Sequence, residues 1–226
     1  MTEEWLWPQE KMILYQMLKN ARGEFLLQIG GPNQSHEIDG LGWFKTKVRL
    51  CQENYTEPSA PVIQSDLDRL PIESDSIDVI LLIHCLEKKI NREAMLAEIF
   101  RVLKSSGQLI IVCFNAVGVG RFYRFSQDFF SIRKTEKLLQ KNDFRISTIK
   151  TIGFRPPIKN KNIADRLLFL ETFGQFFFSN FGSVFIISAY KKISGMTLLP
   201  AYQHKKKIKL QTQLTESPIT RTYFYE

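Results

Sequence analysis

Near-continuous apolar runs recur along this chain at Phe25–Ile29, Ile77–Ile83 and Gln108–Phe114. Each has the length of one strand and is apolar on both faces, the pattern of a central strand in a parallel sheet rather than of a half-exposed one. Between and before them the spacing turns helical. Trp5 to Asn20 carries Met12, Ile13, Gln16 and Met17 at helical intervals, with Pro8 in its first turn and Gly23 as its stop. Asn91 to Lys104 is the clearest helix: Asn91 can cap it, Met95, Ile99, Val102 and Leu103 form one stripe, and Ser106-Gly107 ends it.

Weaker signals fill the gaps. Asn33 to Trp43, interrupted by Gly40 and Gly42, is either a helix of one or two turns or a loop, Lys45 to Gln52 is an edge strand, and Val62-Ile63-Gln64 is a short strand running into polar residues. Further on come a polar helix over Ser131 to Lys141, a strand over Phe144 to Phe154, a helix over Ile163 to Phe178 and a last strand over Ser183 to Tyr190. Strands alternating with helices predict a doubly wound α/β fold with helices on both faces of a mostly parallel sheet. Seven strands are expected, the last antiparallel. The domain is expected to span 1–194, with an N-terminal helix in 1–23 and a flexible tail over 195–226.

Composition narrows the class. The 226 residues are ordinary for a globular protein, with 44% hydrophobic and 24% charged residues. The net charge is +8, but residues 191–226 hold seven Lys/Arg against two Glu, so the tail carries 7 − 2 = +5 and the first 190 residues +3. Lys205, Lys206, Lys207 and Lys209 concentrate that charge, and two readings stay open: a solvated tail or a nucleic-acid contact. Cys51, Cys85 and Cys113 suit neither a zinc site nor a disulfide framework, and no metal is expected. Thr172 to Tyr190 lacks charge, but Gln175, Asn180 and Gly182-Ser183 break it, so no membrane span is expected. Met1-Thr-Glu-Glu-Trp has the wrong chemistry for a signal peptide, and a bacterial, cytoplasmic protein is expected.

The candidate chemistry lies at the carboxyl ends of the predicted strands, where open α/β sheets hold their ligands. Three ends stand out: Gly30-Gly31-Pro32, Asp66-Leu67, and His84-Cys85-Leu86-Glu87. Together with Leu70-Pro71, Ser76-Ile77-Asp78, Glu98 to Lys104 and Gly107 to Ile111, these pieces resemble the class I S-adenosylmethionine-dependent methyltransferases. The resemblance is to the type 11-like group with a Leu-Pro-x-x-x-x-Ser-x-Asp segment, and it spans roughly residues 24–192. Residues 66 to 115 are its specific part.

The resemblance implies a cofactor, S-adenosylmethionine, and roles for its site. Gln28, Ile29, Gly30, Gly31 and Pro32 would pack on the methionine and ribose end. Asp66 would accept a hydrogen bond from the adenine amino group, and Leu67 would donate its backbone N–H to the ring. His84 would line the methyl-transfer channel, and a general-base role for it stands beside that of a packed loop histidine. The chain departs from the family pattern at Gln28, where an acid is usual, and at Pro32-Asn33, where a third glycine is usual. It also lacks the Asn-Pro-Pro-aromatic pattern of base and amide methylation. Methyl transfer to an unidentified acceptor, with a small molecule favoured, is therefore one reading. A methyltransferase-fold binding or regulatory module without turnover is the other.

Overall fold

The unbroken apolar runs form the centre of a seven-stranded sheet. In the computed structural model, residues 6–19, 21–31, 44–51, 62–87, 91–118, 130–154 and 180–192 are described. The elements are α1 (Trp7–Lys19), β1 (Phe25–Gly30), β2 (Thr46–Cys51), β3 (Val62–Gln64), β4 (Ile77–Ile83), α2 (Arg92–Val102), β5 (Leu103–Phe114), α3 (Ile132–Lys141), β6 (Phe144–Ile152) and β7 (Val184–Lys191). The strand order is β3-β2-β1-β4-β5-β7-β6. All pairs are parallel except those of β7, which runs antiparallel to both β5 and β6. The mostly parallel sheet with an antiparallel last strand is the architecture the sequence predicts.

Successive strand residues point to opposite faces, and here both faces are covered. Leu27, Ile29, Ile80, Leu82, Leu109 and Ile111 join Met95, Leu96 and Ile99 of α2 and Leu139 of α3 in one core. Leu26, Val79, Leu81, Ile83, Ile110 and Val112 join Ile13, Leu14, Met17 and Leu18 of α1 in another. A strand covered on both sides has no polar face to present, which is why these runs read as continuous. Each fully buried Leu or Ile contributes about 1.5–3 kcal/mol by leaving water.

Asp78 near the start of β4 fixes the entry to β1. Its Oδ2 accepts the N–H groups of Glu24 and Phe25 at 3.0 Å each, and its Oδ1 accepts Lys104 Nζ at 2.8 Å. Burial favours the neutral acid, but the Lys104 hydrogen bond and the two backbone donors outweigh it and lower its pKa.

One boundary differs from expectation. The helix over Asn91–Lys104 stops at Val102, and β5 starts at Leu103 instead of Gln108. Leu103 is already extended and pairs with Ile77, while Val79 pairs with Gln108, so the residues between form a bulge. At Gly107 an added Cβ would lie 2.7 Å from Leu103 Cγ and 2.9 Å from Lys104 O. That glycine lets the bulge fold onto itself and does not end the helix.

The segments expected at 33–43 and 163–178 lie outside the described residues. So do Pro32 and the lysines of the tail. No described helix is long and apolar enough to cross a membrane. Among the described residues no group of His, Cys, Asp and Glu could hold a metal ion.

Candidate functional site

The carboxyl ends of β1, β3, β4 and β5 share one edge of the sheet, because these strands are parallel. β1 ends in Gly30 (φ +75°) and Gly31 (φ +99°), a left-handed turn that residues with a Cβ enter at a cost. A Cβ on Gly30 would overlap Cys85 Sγ and the carbonyl oxygen of Ile83. The β4 edge thus packs directly against the turn, so protein packing alone requires glycine at position 30.

Gln28 fills the place where an acid is usual in the family pattern. Its side chain is buried and folds onto the turn, with Nε2 donating to Gly30 O at 2.9 Å. Oε1 is buried and has no partner among the described residues. An orphaned buried acceptor is costly, by about 1–3 kcal/mol, and beside a ligand edge it is a ready acceptor for an ammonium group.

Asp66 follows β3 in the segment Ser65–Leu70. Its carboxylate is exposed and has no partner among the described residues, while its carbonyl accepts Arg69 N–H at 3.3 Å. Leu67 and Leu70, on either side of the turn, are buried in the α2-side core. The apolar neighbours anchor the turn and the acid is left free.

His84 is the most constrained residue of the edge. It has φ +50°, outside the ordinary range for a residue with a side chain, and its N–H donates to Val112 O at 2.9 Å. Its ring stacks on Phe114 with centroids 4.0 Å apart and planes 16° apart. Nδ1 meets Glu87 Oε1 at 3.1 Å, and Nε2 meets both carboxylate oxygens of Glu10 at 3.3 Å. Glu87 Oε1 also accepts Phe114 N–H at 2.6 Å. Glu10 is 3% exposed and Glu87 4%.

Burial would disfavour the charged ring, but the Glu10 and Glu87 carboxylates outweigh it and push the His84 pKa up to about 10. At neutral pH the ring is an imidazolium with both N–H groups donated to carboxylates. In this arrangement it has no lone pair for a substrate proton. Glu87 is buried and holds the ring in place.

Glu10 escapes a motif search because it lies far from the strand ends in sequence. The signal was the α1 stripe: Ile13, Leu14 and Met17 are buried, as is Leu6 just before the helix, and Glu10 occupies the same face at helical spacing. An acid on an apolar face is expected to have a partner. That partner is 74 residues away.

One residue beyond the His84–Phe114 stack the edge opens into a cleft of about 640 Å³. Asn115, Ile132, Arg133, Ile149 and Phe181 are among its lining residues. Asn115 is buried; it donates to Asn180 O at 2.7 Å and Gly182 O at 2.9 Å and accepts Val117 N–H at 3.2 Å. It ties the end of β5 to the chain entering β7 and so shapes the wall of the cleft.

Residues 23–111 match the family model described as methyltransferase domain. The chain is 31% identical over 71 residues to phthiotriol/phenolphthiotriol dimycocerosates methyltransferase 1 of Mycobacterium ulcerans, covering 31% of this chain and 26% of that one. It is 29% identical over 93 residues to a ubiquinone/menaquinone biosynthesis C-methyltransferase of Campylobacter jejuni, covering 41% of this chain and 39% of that one. The matches thus span about a quarter to two-fifths of these relatives' lengths. Among solved structures, an S-adenosylmethionine-dependent methyltransferase of Archaeoglobus fulgidus aligns with a TM-score of 0.60 at 14% identity. That alignment covers 84% of this chain and 97% of the other, and it reports on fold. Residues 23–111 are thus similar to a methyltransferase domain, and the sheet has the fold of S-adenosylmethionine-dependent methyltransferases.

Proposed function

We propose that the protein binds S-adenosylmethionine at the carboxyl edge of its sheet and transfers the methyl group to a small-molecule acceptor. The observation that carries this reading is the meeting, on one edge, of a glycine turn with a buried acceptor and an exposed acid that both lack partners among the described residues. Gln28 Oε1 would suit the ammonium of the methionine end, and Ile29, Gly30, Gly31 and Pro32 would hold that end of the cofactor. Asp66 would accept the adenine amino group, and the Leu67 N–H would donate to the ring. When bound, the cofactor supplies a methyl group already activated by its sulfonium. The acceptor nucleophile would bond to that methyl carbon as its bond to sulfur breaks, which would leave S-adenosylhomocysteine.

The protein's share is alignment and exclusion of water, which can supply about 7–11 kcal/mol of the barrier. His84 contributes as a fixed imidazolium that holds α1 against the β4 edge, not as a base. The cleft beside Asn115 falls within the 300–1,000 Å³ range typical of small-molecule sites. The relatives' names, which mention phthiotriol and ubiquinone/menaquinone biosynthesis, support a small-molecule acceptor.

A second reading is a binding module without turnover. Gln28 in place of an acid and the doubly engaged His84 favour it. Incubation with methyl-tritiated S-adenosylmethionine and fractionated small-molecule extract separates the two. Label appearing in an extracted product, dependent on the protein, supports transfer. Binding of S-adenosylmethionine with no transfer to any fraction leaves the module reading.

A further inference from the structure

Segment 65–76, which carries Asp66 between β3 and β4, has neither helix nor strand of its own. Its shape comes from α2. Glu98 Oε2 accepts the Leu70 N–H at 2.9 Å, and Arg101 Nη2 donates to Leu70 O at 2.9 Å, so both backbone groups of one residue are held. Arg101 Nη1 donates to Ile72 O at 2.9 Å and to Ser74 Oγ at 3.0 Å. Pro71 between them has no N–H to offer.

The two side chains also fix each other. Arg101 Nε and Nη2 reach Glu98 Oε1 and Oε2 at 3.0 and 2.8 Å, the two-pronged geometry that sets direction as well as distance. The hold at Leu70 passes back to Asp66 through a closed turn. Arg69 N–H donates to Asp66 O at 3.3 Å, while Ser65 Oγ donates to Arg69 O at 2.8 Å and to Asp66 O at 3.1 Å. Buried Leu67 and Leu70 pin the same turn from below, against the core that holds Met95, Leu96 and Ile99 of α2. The Asp66 carboxylate itself is exposed and has no partner among the described residues.

We infer that Glu98 and Arg101 are positioning residues for the cofactor's adenine: they clasp the backbone on both sides of Pro71 and so hold Asp66 at the ligand edge. The inference rests on the reading of Asp66 as the adenine contact. Neither residue touches the ligand; both act through the turn. An arginine is required because the clasp uses three nitrogens in one plane, which a lysine ammonium does not provide.

The test is calorimetric titration of S-adenosylmethionine into the full chain and into Glu98→Gln, Arg101→Lys, Asp66→Ala and the double variant Asp66→Ala/Glu98→Gln. Glu98→Gln and Arg101→Lys are expected to weaken binding by about fivefold or more. The double variant is expected to bind within about twofold of Asp66→Ala alone, since sites acting through one contact are not additive. Amide exchange should quicken over 66–70 in Glu98→Gln and stay unchanged in the middle of α2. Lys141→Gln, which removes an exposed pair with Glu93, serves as the control and should bind as the parent does.

Parent-like binding by both single clasp variants overturns the inference. So does full additivity in the double variant, which would mean that Glu98 acts on something other than Asp66. If Glu98→Gln does not fold, Arg101→Lys and its combination with Asp66→Ala give the same cycle. A parent protein that folds and does not bind S-adenosylmethionine overturns the function itself, a result distinct from either of these.

Discussion

His84 Nε2 lies 3.3 Å from both carboxylate oxygens of Glu10, joining the edge of β4 to a helix that precedes it by 74 residues. The pair is mostly shielded, with 19% of the His84 side chain and 4% of the Glu10 side chain exposed. Removing one partner of a buried ion pair costs about 3–5 kcal/mol, because the other charge stays buried without compensation. Glu10→Ala is therefore expected to lower stability by about that amount in urea unfolding, and Glu10→Gln by less, since an amide can still accept a hydrogen bond. Equal stability for Glu10→Ala and the parent would mean that α1 is not held through this contact.

The same contact predicts a pH dependence. A histidine whose folded pKa lies above its unfolded value contributes fully at pH below about 6.5, and that contribution is lost as pH rises toward 10. The charged groups facing the ring are Glu10 from α1 and Glu87 beyond β4; Phe114 of β5 covers its face. Cys113 of β5, near Glu87, stays a neutral thiol because burial and that carboxylate push its pKa well up. Unfolding free energy should fall between pH 6.5 and 10 in the parent. In His84→Asn that slope should be reduced, and an unchanged slope would show that another group titrates.

Gly30→Ala tests the packing of the turn without any ligand. Left-handed backbone costs an alanine about 1–2 kcal/mol, and its Cβ would also overlap Cys85 Sγ and Ile83 O. Adding Cys85→Ala should recover only part of the loss, because the carbonyl overlap and the positive φ remain. Full recovery in thermal unfolding would mean that the sulfur alone sets the constraint.

Asp78 gives a prediction on the acid side. Its lowered pKa means that its contribution is present above the ordinary value of 3.8 and is lost as pH falls through the lower folded value. Asp78→Asn should cost about 1–3 kcal/mol at neutral pH and should flatten this acid limb. Both effects can be read from urea midpoints across pH 2 to 7.

What was legible in the sequence follows from what each residue touches. The runs at Phe25, Ile77 and Gln108 announced buried strands because both of their faces meet helices, so composition alone carried the signal. The start of β5 was hidden: Ser105-Ser106-Gly107 looks like a helix stop, and its use as a bulge depends on Leu103 pairing with Ile77 across the sheet. Gly30, Gly31, Asp66 and His84 were visible because strand ends are marked by a break in hydrophobicity. Their partners were less so. Glu10 and Glu98 act over 74 and 28 residues of sequence, and an acid within a helix carries no mark of a distant histidine or of a backbone N–H. The charge state of His84 was illegible for the same reason, since it is set by carboxylates from two separate elements.

The most direct test of the account is titration of S-adenosylmethionine into the parent protein and into Asp66→Ala by isothermal calorimetry. The account predicts saturable binding at one site per chain. A hydrogen bond to a charged group is worth about 1.5–3 kcal/mol, so Asp66→Ala should weaken that binding about 10- to 100-fold. Absence of binding by a parent protein that unfolds cooperatively would contradict it, and equal binding by Asp66→Ala would remove Asp66 from the site.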